Sequence, residues 1–266
     1  MTPAQTQTGP SQCIALRDVD LVYSSLAFKE RSLKTLALRA LNLRALGRRR
    51  PAADVHDVHA LKGLNLEIGA GERVGLLGHN GAGKTSLLKV LAGLYPIAAG
   101  SLRVQGQVRA LFDLSLGFEP DASGRENILY RGLLLGLSPA FMRGVEDGIV
   151  AFADLGEFID YPVKTYSAGM QVRLAFAIST AVGGDVLLLD EVIGAGDEAF
   201  MKKARARIRG LIDQAEILVL ASHDITAMLA LCERGLVLDH GTLVFDGPID
   251  AAVAHYRSTQ ATRGNT

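Results

Sequence analysis

The octapeptide Gly78-His79-Asn80-Gly81-Ala82-Gly83-Lys84-Thr85 fits the pattern G-x-x-x-x-G-K-[ST], the P-loop spacing for wrapping a phosphate chain. Its glycines permit a turn that points successive backbone N–H groups inward, with no Cβ to keep an anion at a distance. Lys84 is placed to reach the β and γ phosphates, and the Thr85 hydroxyl to coordinate Mg²⁺. Flanking sequence supports this chemistry. Val74 to Leu77 (V-G-L-L) reads as a buried strand, and from Ser86 the run S-L-L-K-V-L-A-G-L has the apolar spacing of a helix. Strand, glycine-rich turn and helix N-terminus together predict a phosphate cradle over Gly78 to Ser86, helped by the helix dipole.

Two further constellations belong with the loop. The apolar run Val186 to Leu189 closes on Asp190 and Glu191. In a parallel sheet ligands gather at the carboxyl ends of strands, so Asp190 is placed to hold Mg²⁺ and Glu191 to polarise an attacking water. A second apolar run, Ile217 to Ala221, leads into A-S-H-D, which puts His223 within reach of a γ-phosphate.

These residues need a frame. Strand-like runs are expected at Ile14 to Val22, Leu64 to Ile68, Arg73 to Leu77, Ser101 to Leu111 (broken by Gly106), Val186 to Leu189 and Ile217 to Ala221. Helices are expected from Ser86, from Ser123 to Gly136, Met170 to Ala181 and Ala199 to Gln214. Strands apolar on both faces that alternate with helices imply an α/β fold with a parallel sheet covered on both sides.

Composition excludes several classes. The chain has 266 residues, 48% hydrophobic, with 28 basic and 28 acidic side chains. Such balance argues against general nucleic-acid binding. Only Cys13 and Cys232 are present, so no disulfide framework exists and a reducing compartment is expected. No apolar run approaches the ~20 residues that span a bilayer. Residues 1–12 are polar, lack the apolar core of a secretory signal and read as a mobile tail, as do residues 258–266.

Between these segments, Phe28 to Arg50 is rich in Leu, Lys and Arg with one acid, Glu30. At helical pitch Leu33, Leu36, Ala37, Ala40, Leu41 and Leu43 share one face and Arg31, Thr35, Arg39 and Asn42 lie opposite. This is a basic amphipathic helix by pattern, extended in charge by Arg48-Arg49-Arg50. Each Lys or Arg near an anionic leaflet contributes ~1 kcal/mol, so the segment suits an anionic membrane surface.

Tyr166-Ser167-Ala168-Gly169-Met170-Gln171 at the start of a helix resembles the signature motif of ATP-binding cassette (ABC) ATPases. With the P-loop, L-L-L-D-E and A-S-H-D in the usual order, the resemblance covers about residues 14 to 257. It implies an α/β cassette over residues 13–257: a RecA-like, mostly parallel sheet core, an antiparallel β subdomain, and a helical signature subdomain at about residues 115–182. It also implies ATP and Mg²⁺ as cofactors. Two cassettes would close head to tail as a homodimer, sandwiching two ATPs, with Ser167 and Gly169 touching the γ-phosphate held by the partner chain. Tyr23 matches the family's adenine-stacking aromatic.

Three departures resemble the ATP-binding subunits of polysaccharide exporters: Y-S-A-G-M-Q in the signature, E-V-I-G-A-G-D-E-A-F with Gly196-Asp197 after the acids, and Leu116-Gly117-Phe118-Glu119-Pro120 before S-G-R-E-N-I. That family exports lipid-linked O-antigen, capsule or teichoic acid chains. The basic insert 28–50 resembles its gate helix at the membrane surface. The usual Q-loop glutamine is absent near Phe112 to Ser115, where Asp113 is the candidate to replace its metal or water contact. Too little sequence follows Gly247 for the extra C-terminal β-sandwich of some members.

The resemblance thus implies a peripheral subunit on the cytoplasmic face of the inner membrane. Its ATP hydrolysis would drive a separate integral membrane channel that moves a lipid-linked glycan, docking near Gly117 to Asn127. The alternatives are the ATPase of a small-molecule or drug exporter and, from another class, a soluble cassette ATPase acting on nucleic acid or the ribosome.

Overall fold

The structure is a computed structural model that describes residues 13–24, 57–112, 117–190 and 198–263. The basic insert 28–50, Asp113, Glu191 and Gly196-Asp197 lie outside the described residues.

Among the described residues nine strands form two sheets. The first is antiparallel, ordered β2-β1-β4, from β1 (Cys13–Ser24), β2 (Asp57–Gly69) and β4 (Ala99–Val104). The second has the order β5-β6-β7-β3-β8-β9. Its strands β3 (Arg73–Leu77), β5 (Val108–Leu111), β6 (Val186–Asp190), β7 (Ile217–Ala221) and β8 (Arg234–Asp239) run parallel, and β9 (Thr242–Pro248) closes the edge antiparallel to β8.

Alternation along each central strand explains why both sheet faces are dry. Val186 and Leu188, with Ile217, Val219 and Ala221, join α1 (Lys84–Leu91) and the antiparallel sheet in one buried cluster. Leu187, Leu189, Leu218 and Leu220 point the other way. They meet α5 (Glu198–Gln214) through Leu211 and Ile212, α6 (Ile225–Leu231) through Met228, and α7 (Ile249–Arg263) through Ile249, Ala252 and Val253. The helix α1 is therefore held between the two sheets, which fixes its N-terminus over the carboxyl ends of the parallel strands.

A third unit is helical: α2 (Gly124–Leu134), α3 (Pro139–Ala153) and α4 (Ala168–Ser179) surround a core of Ile128, Met142, Ile149, Ile159, Leu174 and Ile178. Ser123 caps α2 in a reciprocal box with Glu126. Asn127, fully buried, accepts from the Glu119 N–H (2.8 Å) and donates to the carbonyls of Glu119 (3.0 Å), Ala122 (3.3 Å) and Ser123 (2.9 Å). One turn on, the buried Arg131 guanidinium lies 4.8 Å from the centre of the Phe118 ring, and burial pushes its pKa down to about 10. One face of α2 thus organises the loop before it.

Two expectations are corrected. The run from Ser101 to Leu111 is two strands in different sheets, because Gly106 at φ 102° turns the chain from β4 to β5. The segment from 258 onward is not all tail: α7 continues to Arg263, since neither glycine nor proline interrupts it before Gly264. Among the described residues no helix is long and apolar enough to cross a membrane.

Candidate functional site

Strand β3 ends at Leu77, and the loop that follows is shaped by main-chain approach. At Gly78, φ is 152°, and an added Cβ would fall 2.6 Å from the Leu238 carbonyl oxygen and 2.9 Å from Ala82 Cβ, so glycine is required there. Gly83 (φ 110°) precedes α1 without a side-chain acceptor, leaving the first-turn N–H groups of the helix available to an anion. The Lys84 ammonium donates to the carbonyl oxygens of Gly78 (2.6 Å) and His79 (3.1 Å), which holds it over the loop.

Register brings the acid to the loop. Asp190 ends β6 opposite Ala221 of β7, and Ala221 in turn lies opposite Leu76 of β3. The helix α1 crosses the gap above β7, and the Thr85 hydroxyl donates to Asp190 Oδ2 at 2.6 Å. A cavity of about 600 Å³ opens here, lined by Asn80 to Ser86 with Asp190, His223 and Tyr23. The Thr85 hydroxyl and Asp190 carboxylate form an all-oxygen donor pair suited to Mg²⁺, whose remaining positions would go to water and phosphate oxygens.

Tyr23 sits at the cavity edge. Its hydroxyl pairs with Ser86 Oγ at 3.1 Å, and its ring meets Tyr95 edge-on with centroids 5.4 Å apart. His79 behaves differently: its side chain does not line this cavity but turns to Asp239, with Nε2 3.0 Å from Oδ1. Only its main chain serves the loop. Ser167 caps α4, accepting from the Met170 N–H at 3.3 Å, and a Cβ added at Gly169 would meet only Ser167 Oγ, at 3.9 Å. Neither belongs to the cavity of its own chain. Tyr166 beside them is buried in the helical unit and donates to the Phe158 carbonyl at 2.5 Å, so this departure in the signature is a packing anchor.

Several lining residues escaped the sequence reading: Val58, His59, Ala60, Lys62 and His240. Strand β2 begins at Asp57, not Leu64. Its alternation is disguised by an irregularity that pairs Leu61 with Leu21 but Leu64 with Val19, so the buried leucines fall three apart instead of two. Ser24 pairs with Asp57, so the end of β1 and the start of β2 lie side by side at this cavity edge, where Tyr23 and Val58 both line it.

Fold and site together define an α/β nucleotide-phosphate-binding domain with a helical unit inserted between β5 and β6. The family described as ABC transporter matches residues 61–194, and the chain belongs to it. The chain is 43% identical to the O-antigen export system ATP-binding protein RfbB of Myxococcus xanthus, over 79% of this chain and 48% of that protein. It is also 43% identical to the O-antigen export system ATP-binding protein RfbE of Yersinia enterocolitica, over 74% of this chain and 82% of that one. The chain thus spans about half the length of the first relative and most of the second. Among solved structures, the dimeric bacterial ABC transporter cassette MJ0796 superposes with a TM-score of 0.61 at 21% identity, covering 89% of this chain and 98% of that one. That likeness concerns the fold.

Proposed function

We propose that this chain is the ATP-hydrolysing subunit of an exporter of lipid-linked polysaccharide. The observation that carries the ATPase part is the 2.6 Å contact between Thr85 and Asp190, which joins the phosphate loop to the strand-end acid in a cavity that also contains Lys84 and His223. The names of the relatives from Myxococcus and Yersinia, both O-antigen export subunits, support the transport part.

In this reading the amides of residues 78–86 and Lys84 neutralise the phosphates, Lys84 exchanging the Gly78 and His79 carbonyls for phosphate oxygens. Thr85 and Asp190 would hold Mg²⁺, which would supply positive charge against the phosphate oxygens. Glu191 positions the attacking water, His223 contacts the γ-phosphate, and Tyr23 stacks on adenine. Asp113 supplies a further metal or water contact. Ser167, exposed, and Gly169, half-buried, stand at the start of α4 away from their own cavity and complete the site of a second copy in a head-to-tail homodimer. Contacts that exist only in the closed dimer let ATP binding do mechanical work.

The chain acts peripherally on the cytoplasmic face of the cell membrane, drives an integral channel subunit docked near residues 117–127, and touches the anionic leaflet through residues 28–50. Co-purification of an integral channel subunit with this chain from detergent-solubilised native membranes tests this. Glu191→Gln should keep ATP binding, trap the dimer and abolish glycan export with hydrolysis reduced by orders of magnitude. Near-normal hydrolysis removes Glu191 from its role. Normal glycan export in cells lacking this chain removes the transport reading and leaves the ATPase.

A further inference from the structure

Where the side chain of His79 turns away from the nucleotide cavity, it meets an arrangement that the nucleotide chemistry does not use. Asp239 ends β8 and His240 begins the turn into β9, with φ 47°. Asp239 Oδ1 lies 3.0 Å from His79 Nε2 and 3.7 Å from His240 Nε2, and the two imidazole rings are 4.8 Å apart between centroids. One carboxylate oxygen is flanked by two imidazole nitrogens.

The far side of the His79 ring sharpens this. Its Nδ1 lies 2.7 Å from the Asn80 carbonyl oxygen, which can only accept. With Nδ1–H donated there, Nε2 carries the lone pair of a neutral ring, yet it faces a carboxylate oxygen at 3.0 Å. Two electron pairs at that distance require a cation between them, either a second proton on the ring or a metal ion. A backbone carbonyl fixing the remote N–H of an imidazole is also how metal-bound histidines are commonly oriented.

We propose that His79, Asp239 and His240 form a site for a borderline transition-metal ion of the Zn²⁺ class, clipping the phosphate loop to the β8–β9 turn. Ligand atoms that share an ion at about 2.0–2.2 Å stand about 3.4 Å apart at the tetrahedral angle and at most about 4.2 Å apart. The separations of 3.0 and 3.7 Å bracket the tetrahedral value, and all three ligand atoms lie within 4.8 Å of one another. The His240 side chain is 70% exposed, so its rotation can complete the set without main-chain movement. A cavity of about 510 Å³ bordered by His79 and Asp239 leaves room for a water as fourth ligand. Two imidazoles and one carboxylate favour Zn²⁺, Co²⁺ or Ni²⁺ over Mg²⁺, which prefers an all-oxygen set such as Thr85 and Asp190.

The clip lies where the loop is already tied to the turn, since the Gly241 N–H donates to the Ala82 carbonyl at 2.9 Å and the His79 carbonyl accepts from Lys84. An ion here would hold the loop whose carbonyls restrain Lys84. His240 also lines the nucleotide cavity, so the ion would border both cavities.

The test uses the full chain without nucleotide, in buffer containing Mg²⁺, so it does not depend on the transport reading. Zn²⁺ is titrated in competition with a chromophoric chelator, and Co²⁺ is followed by its visible ligand-field absorption. Expected are one Zn²⁺ per chain, a Co²⁺ spectrum of low coordination number displaced by Zn²⁺, and affinity at least about tenfold weaker in Asp239→Asn and in His240→Asn. Asn tolerates positive φ, so His240→Asn keeps the turn and decides the matter even if Asp239→Asn fails to fold. No Zn²⁺ uptake against the chelator, or uptake unchanged in His240→Asn, overturns the site and leaves a doubly protonated His79 ring bound to Asp239.

Discussion

Replacing Asn127 by alanine should destabilise the helical unit far more than an ordinary polar-to-alanine change on a helix. The side-chain oxygen accepts from the Glu119 N–H, and the amide nitrogen spans the carbonyls of Glu119, Ala122 and Ser123 at 2.9–3.3 Å, all from a fully buried position. Its two N–H groups and one carbonyl make about three hydrogen bonds at once, each contributing about 0.5–1.5 kcal/mol, so Asn127→Ala should cost roughly 2–4 kcal/mol. In a domain of this size that corresponds to a fall of about 5–10 °C in Tm. Asn127→Asp keeps the shape but sets an anion with no N–H against three carbonyl oxygens, so it should cost more than the alanine variant. Urea denaturation with amide hydrogen exchange of residues 117–127 reads both. Basal ATP hydrolysis and the proposed glycan export, measured side by side, show whether the loop serves the proposed channel, since Asn127 lies outside the nucleotide cavity. A loss below about 1 kcal/mol for Asn127→Ala, or an Asp variant more stable than the Ala variant, would refute the assignment of these hydrogen bonds as the organiser of the loop.

Gly78→Ala should lower ATP affinity by at least about tenfold, because a left-handed main chain and a 2.6 Å approach to the Leu238 carbonyl force the loop to move; equilibrium binding of a fluorescent nucleotide reads it, and unchanged affinity contradicts the close approach. The Cys232 thiol, with its pKa pushed up to about 12 by burial, should resist a disulfide reagent at pH 8 in the native protein and react once denaturant is added; rapid labelling of both thiols in the folded state would contradict it. The two hydrogen bonds from Ser123 hold the Glu126 carboxyl below the usual carboxylate range. Its stabilisation is therefore complete above the unfolded value of about 4.3 and is lost as pH falls through the lower folded value. The stability gap between the natural protein and Glu126→Gln should shrink between pH 7 and pH 3, and a gap independent of pH would count against the capping box.

The chemistry-bearing residues were legible because local spacing encodes them. Gly78 to Thr85 needs only strand, turn and helix in succession, and Asp190 and His223 each end a short apolar run whose two-faced burial marks a central strand. What local pattern could not show was partnership across sheets. The single alternating run from Ser101 to Leu111 gives no sign that Gly106 divides it between two sheets. The irregular register of β2 hid His59 and Lys62, since a strand with one face in solvent is read mainly from its two-residue period.

His79 marks the boundary between the two sources of information. The sequence by itself determined that a glycine-rich loop would join a strand to a helix, that Asp190 would end a strand and His223 follow one, and that a parallel α/β core would carry them, because glycine placement and apolar period are properties of neighbouring residues. Only the tertiary structure decided that Thr85 and Asp190, 105 positions apart, meet at 2.6 Å, and that the His79 ring turns from the cavity to Asp239, 160 positions away. Those contacts arise from strand order and from the seating of α1 between two sheets, and burial of apolar faces over the whole chain sets both.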